Sequence, residues 1–590
     1  MSDIEAIRNS LQIVLAKAVR KLLPESRLGE GAATENGFYH DFYLGEKIPK
    51  DLVEEVEKAM KTIIKSDEEI ERKEMTIEDA VRIFSENGES LKVELLKKMK
   101  ADGNTEVSLC YLGDFVEICE GSLLTRTGAI PLDGISVEHL SSAYFMGDET
   151  REAMTRITGW AFQSGQELAE FMKNRGEILK RDHTKLGREL ELFITSEEVG
   201  KGLPMFLPKG ATMRRILEQF IVNEEIKRGY KHVYTPILGK KELYITSGHW
   251  EHYKESMYPP IVFNEKEYVL RPMTCPHHFV LYNSQFHSYR DLPVRYAEIS
   301  PQYRREQSGE LTGLIRLMGF HLADAHIMCR PDQVRDEFEK VIDLINYVIK
   351  CLGLTGVCWF RASLRDEKSE KYVQNEEAWK ESEKILLELL EEQDTEFVIE
   401  RGAAAFYGPK LDVQMRNVWG KEDTLFTNQI DMVMAERFDM QYVDEDNTIR
   451  RPIIIHRSSI GCLERTIAFL IEHYSGAFPV WIAPVQVRLL PISENQHPYS
   501  RKIHSRMEEK GIRVELDDRN VTLSKKIREG RLQRIPYLAI IGEKEKENLT
   551  ITIRNRDSGN QAEIPYEEFI ELLLKEDKEK EIRTHIGGDE

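Results

Sequence analysis

The order of apolar and polar positions divides the chain into stretches with different rhythms. IRNSLQIVLAKAVRKLL places Ile7, Leu11, Val14, Leu15, Ala18 and Leu22 near one face of a helix. GFYHDFYL, following a turn glycine, alternates as a strand does, and LVEEVEKAMKTIIKS is again an amphipathic helix. Residues 1–150 therefore predict a mixed α+β domain. Residues 151–182 are charged and lack proline, and predict a helical linker. Residues 183–480 form the largest block. There MRRILEQFIVNEEIKRGY predicts a helix closed by Gly229 and KHVYTP a strand stopped by Pro236. VRYAEIS, FVIE and PIIIHR predict further strands, the last running into the helix CLERTIAFLIEHY. Helices and strands mix there without a βαβ rhythm, which points to a largely antiparallel sheet with flanking helices. Pro479 and Pro484 mark a boundary, and residues 481–590 then alternate strand and helix as a small α/β domain. The charged end KEDKEKEIR predicts a solvated, fraying helix tail.

Length and composition narrow the class. A chain of 590 residues, 41% hydrophobic and 31% charged, suits a large protein of several domains. No segment nears the ~18 consecutive apolar residues of a membrane span. The start MSDIEAIRNS lacks a basic region followed by an apolar run, so no secretory signal is expected. The 7 cysteines are odd in number and scattered, which predicts no disulfide framework and fits a reducing cytosol. No CxxC pair exists, so an ordinary zinc finger is excluded. The net charge of −20 argues only against whole-surface binding of nucleic acid.

Three constellations carry candidate chemistry. Cys275, in LRPMTCPHHF, is hemmed in by Pro272, Pro276, His277 and His278. The residues alone leave it three roles: nucleophile, metal ligand or small buried hydrophobe. His326 and His456 lie in apolar runs downstream, where a lone histidine is ordinarily a satisfied core residue. YRREQSGELTGLIRLMGF carries Arg304, Arg305, Glu306 and Arg316 around a turn, as a phosphate clamp or as a solvated charged hairpin. In IGCLERTIAFLIEH, Arg465 sits among apolar residues in a helix's first turn, either bound to an anion or snorkelling to water.

Taken in order, these pieces resemble the threonyl-tRNA synthetase family of class II aminoacyl-tRNA synthetases. The matching stretches are TSGHWEHYKESM, LRPMTCPHHF, YRREQSGELTGLIRLMGF, ADAHI, AFYGPKLD, IIIHRSSIGCLER, FPVWIAPVQV and DDRNVTLSKKIREG…RIPYLAIIGEKE. The resemblance implies a class II catalytic domain over 183–480 and an α/β anticodon-binding domain over 481–590. It implies one zinc ion per subunit on Cys275, His326 and His456, and Mg²⁺ with ATP. Arg304 and Arg465 become the catalytic arginines. Arg304, Glu306, Arg316 and Arg465 would bind ATP. Met273, Asp324, Tyr407 and Gln429 would bind threonine, with Asp324 on its ammonium. Asn520, Arg528, Glu545 and Arg554 would read the anticodon of tRNA(Thr). A cytoplasmic homodimer through residues 215–250, with no membrane association, is the implied assembly.

Two departures from the family pattern stand out. The chain is expected to begin at the editing-like domain, without the small ubiquitin-like module that precedes it in many members. The family's HxxxH and CxxxH editing pattern is degenerate: Asn9 and Ile13 replace the first pair, and Cys119 remains while Leu123 replaces its histidine. Hydrolysis of Ser-tRNA(Thr) in cis is therefore not expected. Leu322 and Cys462 are minor departures. A sister synthetase for serine or proline would lack the Cys–His–His set, and a silent RNA-binding paralogue would not need Arg304, Glu306 and Arg465.

Overall fold

The structure is a computed structural model that describes residues 3–45, 48–148, 151–369, 371–373, 375–392 and 396–587. Two compact units span Met1–Glu177 and Ile178–Glu590.

In the first unit the helix Asp3–Leu22 buries Leu11, Val14, Leu15 and Ala18, the stripe set by the 3.6-residue period. It packs on a four-stranded antiparallel sheet ordered Arg27–Thr34, Gly37–Tyr43, Ala153–Ala161, Ile135–Tyr144. This corrects the reading of 151–182 as a helical linker. Ala153–Ala161 is an inner strand, and the helix begins only at Gly165. Its burial alternates at Ile157, Gly159 and Ala161, a short period-2 signal hidden by the charged residues that precede the strand.

The expectation of no disulfide is also corrected. Cys110 and Cys119 are bonded, with Cα atoms 5.9 Å apart. Their spacing carries no motif. The antiparallel pairing of Glu106–Leu112 with Phe115–Ile118 brings them together.

The second unit is built on an eight-stranded sheet, ordered Lys231–His232, Val294–Tyr303, Gly319–Cys329, Ile453–Cys462, Glu422–Asp431, Lys410–Arg416, Trp359–Leu364, Phe397–Arg401. Only the outermost pair at each edge is parallel. The sheet's apolar face carries Ala297, Ala323, Ala325, Ile327 and Ile455 into the main core, with the amphipathic helices Val334–Cys351 and Leu463–Tyr474. The opposite face carries polar residues and is free for chemistry.

The last domain has a five-stranded sheet ordered Val514–Leu516, Val487–Pro491, Tyr537–Ile541, Thr550–Asn555, Gln561–Pro565. Its first three strands are parallel and the rest antiparallel, so the strand–helix rhythm of the sequence describes only the first half. The fraying tail is a third correction. The helix runs from Tyr566 to Glu579, and the chain beyond it docks on the domain. There Asn555 Nδ2 donates to the carbonyls of Thr584 and Ile586. Among the described residues no helix is long and apolar enough to cross a membrane.

Candidate active site

Strand register assembles the site. His326 lies directly opposite His456, and His456 opposite Gln429, so the three side chains form one row across three strands. Two residues along on the same face, Asp324 opposes Ser458, and Ser458 opposes Thr427. Cys275 enters from outside the sheet, at the first position of the helix Cys275–Asn283. One ligand atom from each of Cys275, His326 and His456 lies within 4.8 Å of the others. All three residues are buried.

This group fits a metal. His326 Nε2 is buried without a hydrogen-bond partner among the described residues, a costly state for an imidazole nitrogen unless something binds it. Burial also keeps His326 in its neutral, ligating form. Burial, Asp324 and Asp431 together push the Cys275 thiol up, and a divalent cation would favour its thiolate. A second cluster of Asp182, His183 and Glu472 has metal-like spacing, but its atoms are already used. His183 Nδ1 pairs with Glu472 Oε1 at 2.6 Å, and its Nε2 accepts from the Leu314 amide at 3.1 Å. Glu472 Oε2 accepts from the Val418 amide, and Asp182 caps the helix that His183 opens. That cluster is a structural strut.

Cys275 and His456 of the triad line a cavity of about 350 Å³, with Met273, Asp324, Tyr407, Gln429, Arg304 and Glu306. Tyr407 stacks on His456 with ring centroids 5.1 Å apart, and its hydroxyl donates to Gln429 Oε1 at 2.8 Å. Gln429 Nε2 in turn donates to Thr427 Oγ1. Asp324 is buried, and the desolvation raises its pKa despite the nearby histidines. No cationic side chain pairs with it among the described residues.

An adjoining cavity of about 330 Å³ shares Arg304, Glu306 and Arg316 and adds Gly461 and Arg465. Arg304 donates from Nε to the Pro272 carbonyl and lies over the Phe320 ring. Arg465 is held by the carbonyls of Ile315 and Thr424. Neither guanidinium has a carboxylate ion pair among the described residues, and burial and Arg465 both lower the pKa of Arg304. Two unneutralised arginines at one cavity make an anion site. Glu306 and Arg316 pair with each other at 2.8 Å. Gly461 has φ +73°, and a Cβ there would lie 2.0 Å from the Leu425 carbonyl oxygen, so glycine lets two strands approach at the cavity wall.

The other expected residues are more dispersed. Asn520 and Arg528 are exposed at and on the helix Leu523–Leu532. Glu545 accepts from the Gly542 amide and from Thr552 Oγ1, closing its own short helix. Arg554 lines a separate cavity of about 380 Å³ with Arg531, Arg534 and Arg556. In the first unit, Ile13 and Cys119 are buried in one apolar cluster against which Leu123 packs. Asn9 Nδ2 donates to the Ser122 carbonyl at 3.1 Å.

Sequence reasoning missed several site residues. Asp431 and Glu298 lie in strands of mixed polarity, where no local signal separates them from surface acids. His278 stood beside Cys275 in the quoted motif, but spacing gave it no role. Gln302, which donates to Thr274 Oγ1 and to Asp324, is legible only from register.

Comparison with known proteins fits this geometry. Residues 261–474 match the tRNA synthetase class II core domain (G, H, P, S and T), and residues 486–576 match an anticodon binding domain. The chain is 43% identical to a threonine–tRNA ligase of Geobacillus kaustophilus over 586 residues, covering 99% of this chain and 89% of that protein. It is 43% identical to threonine–tRNA ligase 1 of Bacillus subtilis, covering 98% of this chain and 89% of the relative. Among solved structures, the RNA binding domain of threonyl-tRNA synthetase from Cryptosporidium parvum matches with TM-score 0.64 and 35% identity, covering 67% of this chain and 98% of that one. With a class II core beside an anticodon-binding module and near full-length identity of this order, the chain belongs to the threonine–tRNA ligase family of class II aminoacyl-tRNA synthetases.

Proposed function

We propose that this chain activates threonine with ATP and transfers it to the 3′ end of tRNA(Thr). The observation that carries the reading is the cavity pair. Cys275 and His456 of a Cys–His–His triad line one cavity with a buried aspartate that has no cationic side-chain partner among the described residues, and two arginines without carboxylate partners line the next.

Asp324 accepts from the threonine amino nitrogen, while Met273, Tyr407 and Gln429 bound the pocket. Arg304 and Arg465 hold the phosphates, and Glu306 receives the adenine amino group once Arg316 has turned to phosphate. A threonine carboxylate oxygen attacks the α-phosphorus in line, the bond to the bridging oxygen breaks, and pyrophosphate leaves. The arginines neutralise charge gathering on the phosphoryl oxygens. A hydroxyl of the terminal tRNA ribose then attacks the adenylate carbonyl and AMP departs. Mg²⁺ accompanies ATP.

Cys275, His326 and His456 would hold zinc, leaving a fourth position open. When bound, the metal supplies an acceptor site for the amino acid's amine and hydroxyl. Valine lacks the hydroxyl, and a site built around a polar group rejects such an analogue strongly. Serine satisfies it and differs by one methyl, a contrast worth only about 1–3 kcal/mol.

The first unit, Met1–Glu177, is an editing-like domain without a working hydrolytic centre. Ile13 and Leu123 give an apolar wall where the family has histidines. The disulfide leaves Cys119 no thiol. The protein acts as a cytoplasmic homodimer. Tyr234, Val262 and Phe263 are 94%, 69% and 65% exposed near the 215–250 region, an apolar surface that a second copy covers. Asn520, Arg528, Glu545 and Arg554 contact anticodon bases, with the Arg531–Arg534 pair beside Arg554 on the phosphates.

Amino-acid-dependent ATP–pyrophosphate exchange tests the reading, run with threonine, serine, valine and proline before and after zinc chelation. Zinc-dependent exchange with threonine, some with serine and little with valine is the expected result. Exchange with proline alone, or with none of the four, overturns it.

A further inference from the structure

The histidines of the triad are not free to choose which nitrogen faces a metal. His326 Nδ1 lies 2.8 Å from His278 Nδ1, and His278 Nε2 lies 3.4 Å from Glu298 Oε2. Glu298 is buried and anchored. Arg271 donates to its Oε1 at 2.8 Å, and Thr235 Oγ1 donates to its Oε2 at 2.7 Å. An ionised carboxylate only accepts. Its pKa is held down to about 2: burial opposes this, but the bonds from His278, Thr235 and Arg271 outweigh it.

The proton positions then follow in sequence. His278 donates from Nε2 to Glu298, and in the single-proton tautomer that leaves the lone pair on its Nδ1. His326 must donate from Nδ1 to that lone pair, so its own lone pair is on Nε2. That nitrogen is the one left buried without a partner. On the neighbouring strand the direction is reversed. His456 Nε2 donates to Asp431 Oδ2 at 2.8 Å, which leaves the lone pair on Nδ1. Asp431 is fixed by the amides of Val433 and Met434, which donate to its Oδ1 at 2.8 and 3.0 Å.

We propose that His278, backed by Glu298, and Asp431 are positioning residues for the metal triad. They commit His326 to bind through Nε2 and His456 through Nδ1. The two ligands are also unequal. His456 is backed directly by a carboxylate, whereas His326 is backed by an imidazole with its carboxylate one ring further away. His456 is therefore the stronger donor. The proposal rests on the zinc reading above and adds the outer residues and the ligating atoms.

The test uses the full-length protein loaded with zinc. The readouts are zinc content, the rate of zinc transfer to a colorimetric chelator, and the visible spectrum after cobalt replacement. Outer partners of this kind are worth about 10–100-fold in metal affinity. His278→Phe keeps a ring but removes the acceptor, and should release zinc about 10-fold faster or more, with a shifted cobalt spectrum. His278→Gln restores an acceptor oxygen and should return both readouts most of the way to wild type. Release at the wild-type rate with an unchanged spectrum in His278→Phe overturns the positioning role alone. A wild-type protein that neither holds nor takes up zinc overturns both readings. Should His278→Phe fail to fold, a crystal structure of the zinc-loaded wild type decides. Metal on His326 Nε2 and His456 Nδ1 supports the proposal, and either opposite nitrogen overturns it.

Discussion

Glu576 links the docked tail to the anticodon-binding domain, and its replacement by glutamine gives a quantitative test. The side chain is 5% exposed. Tyr537 Oη donates to its Oε2 at 2.8 Å, and the His585 amide to its Oε1 at 3.3 Å. Burial raises its pKa from 4.5 to about 7, Glu581 and Asp557 adding to the rise and the two hydrogen bonds opposing it. A carboxyl with a raised pKa favours the folded state in its neutral form. Its contribution is complete below pH 4.5, falls as pH rises to about 7 and is constant above. At 1.36 kcal/mol for each factor of ten, the loss between pH 4 and pH 8 is about 3 kcal/mol. Glutamine has nearly the same shape and cannot ionise. Giving up one of the two bonds imposes a fixed offset of about 1 kcal/mol. The stability of Glu576→Gln relative to wild type should therefore rise by about 3 kcal/mol from pH 4 to pH 8. Native-state hydrogen exchange on the strands Tyr537–Ile541 and Thr550–Asn555 measures this domain separately from the rest. A difference that stays flat with pH, or falls, would refute the reasoning.

Three further outcomes follow. Asp324→Asn removes the charge facing the amino acid's amino nitrogen and should lower kcat/KM for threonine by about 10²-fold or more, with little change in KM for ATP in pyrophosphate exchange. Val262→Asp places a charge on the exposed strand Ile261–Phe263 and should shift sedimentation from dimer toward monomer; an unchanged dimer would reject that surface. Wild type and Cys119→Ala should hydrolyse Ser-tRNA(Thr) equally slowly, and rapid deacylation by wild type that the variant abolishes would restore a working editing centre.

Much of the fold was legible where one face of an element is buried. The helices Asp3–Leu22 and Leu463–Tyr474 and the strands Gly37–Tyr43 and Ile453–Cys462 follow from periodicity. The linker reading failed at Ala153–Ala161 because that strand, with Arg156 its one charged residue, is short and lies between the charged stretch GDETRE and a charged helix. The tail reading failed because KEDKEKEIR is charged, yet Glu576 and Asp577 find partners in Tyr537, Gln486 and Arg513.

The sequence by itself determined the inventory. It held a cysteine and two histidines among apolar neighbours, arginines beside a turn and at the start of an apolar helix, and apolar side chains at two positions of an editing pattern. Through ordered motifs it also indicated the family. Which of these residues act together was decided only by tertiary structure. Cys275, His326 and His456 lie 51 and 130 residues apart along the chain, and no local rule spans such gaps. Strand register brings the two histidines face to face, and only then do the carboxylates of Glu298 and Asp431 come within reach to fix their protons. The physical reason is that helix and strand periods are local properties, whereas a polar site in a sheet depends on which strands are neighbours and in what register.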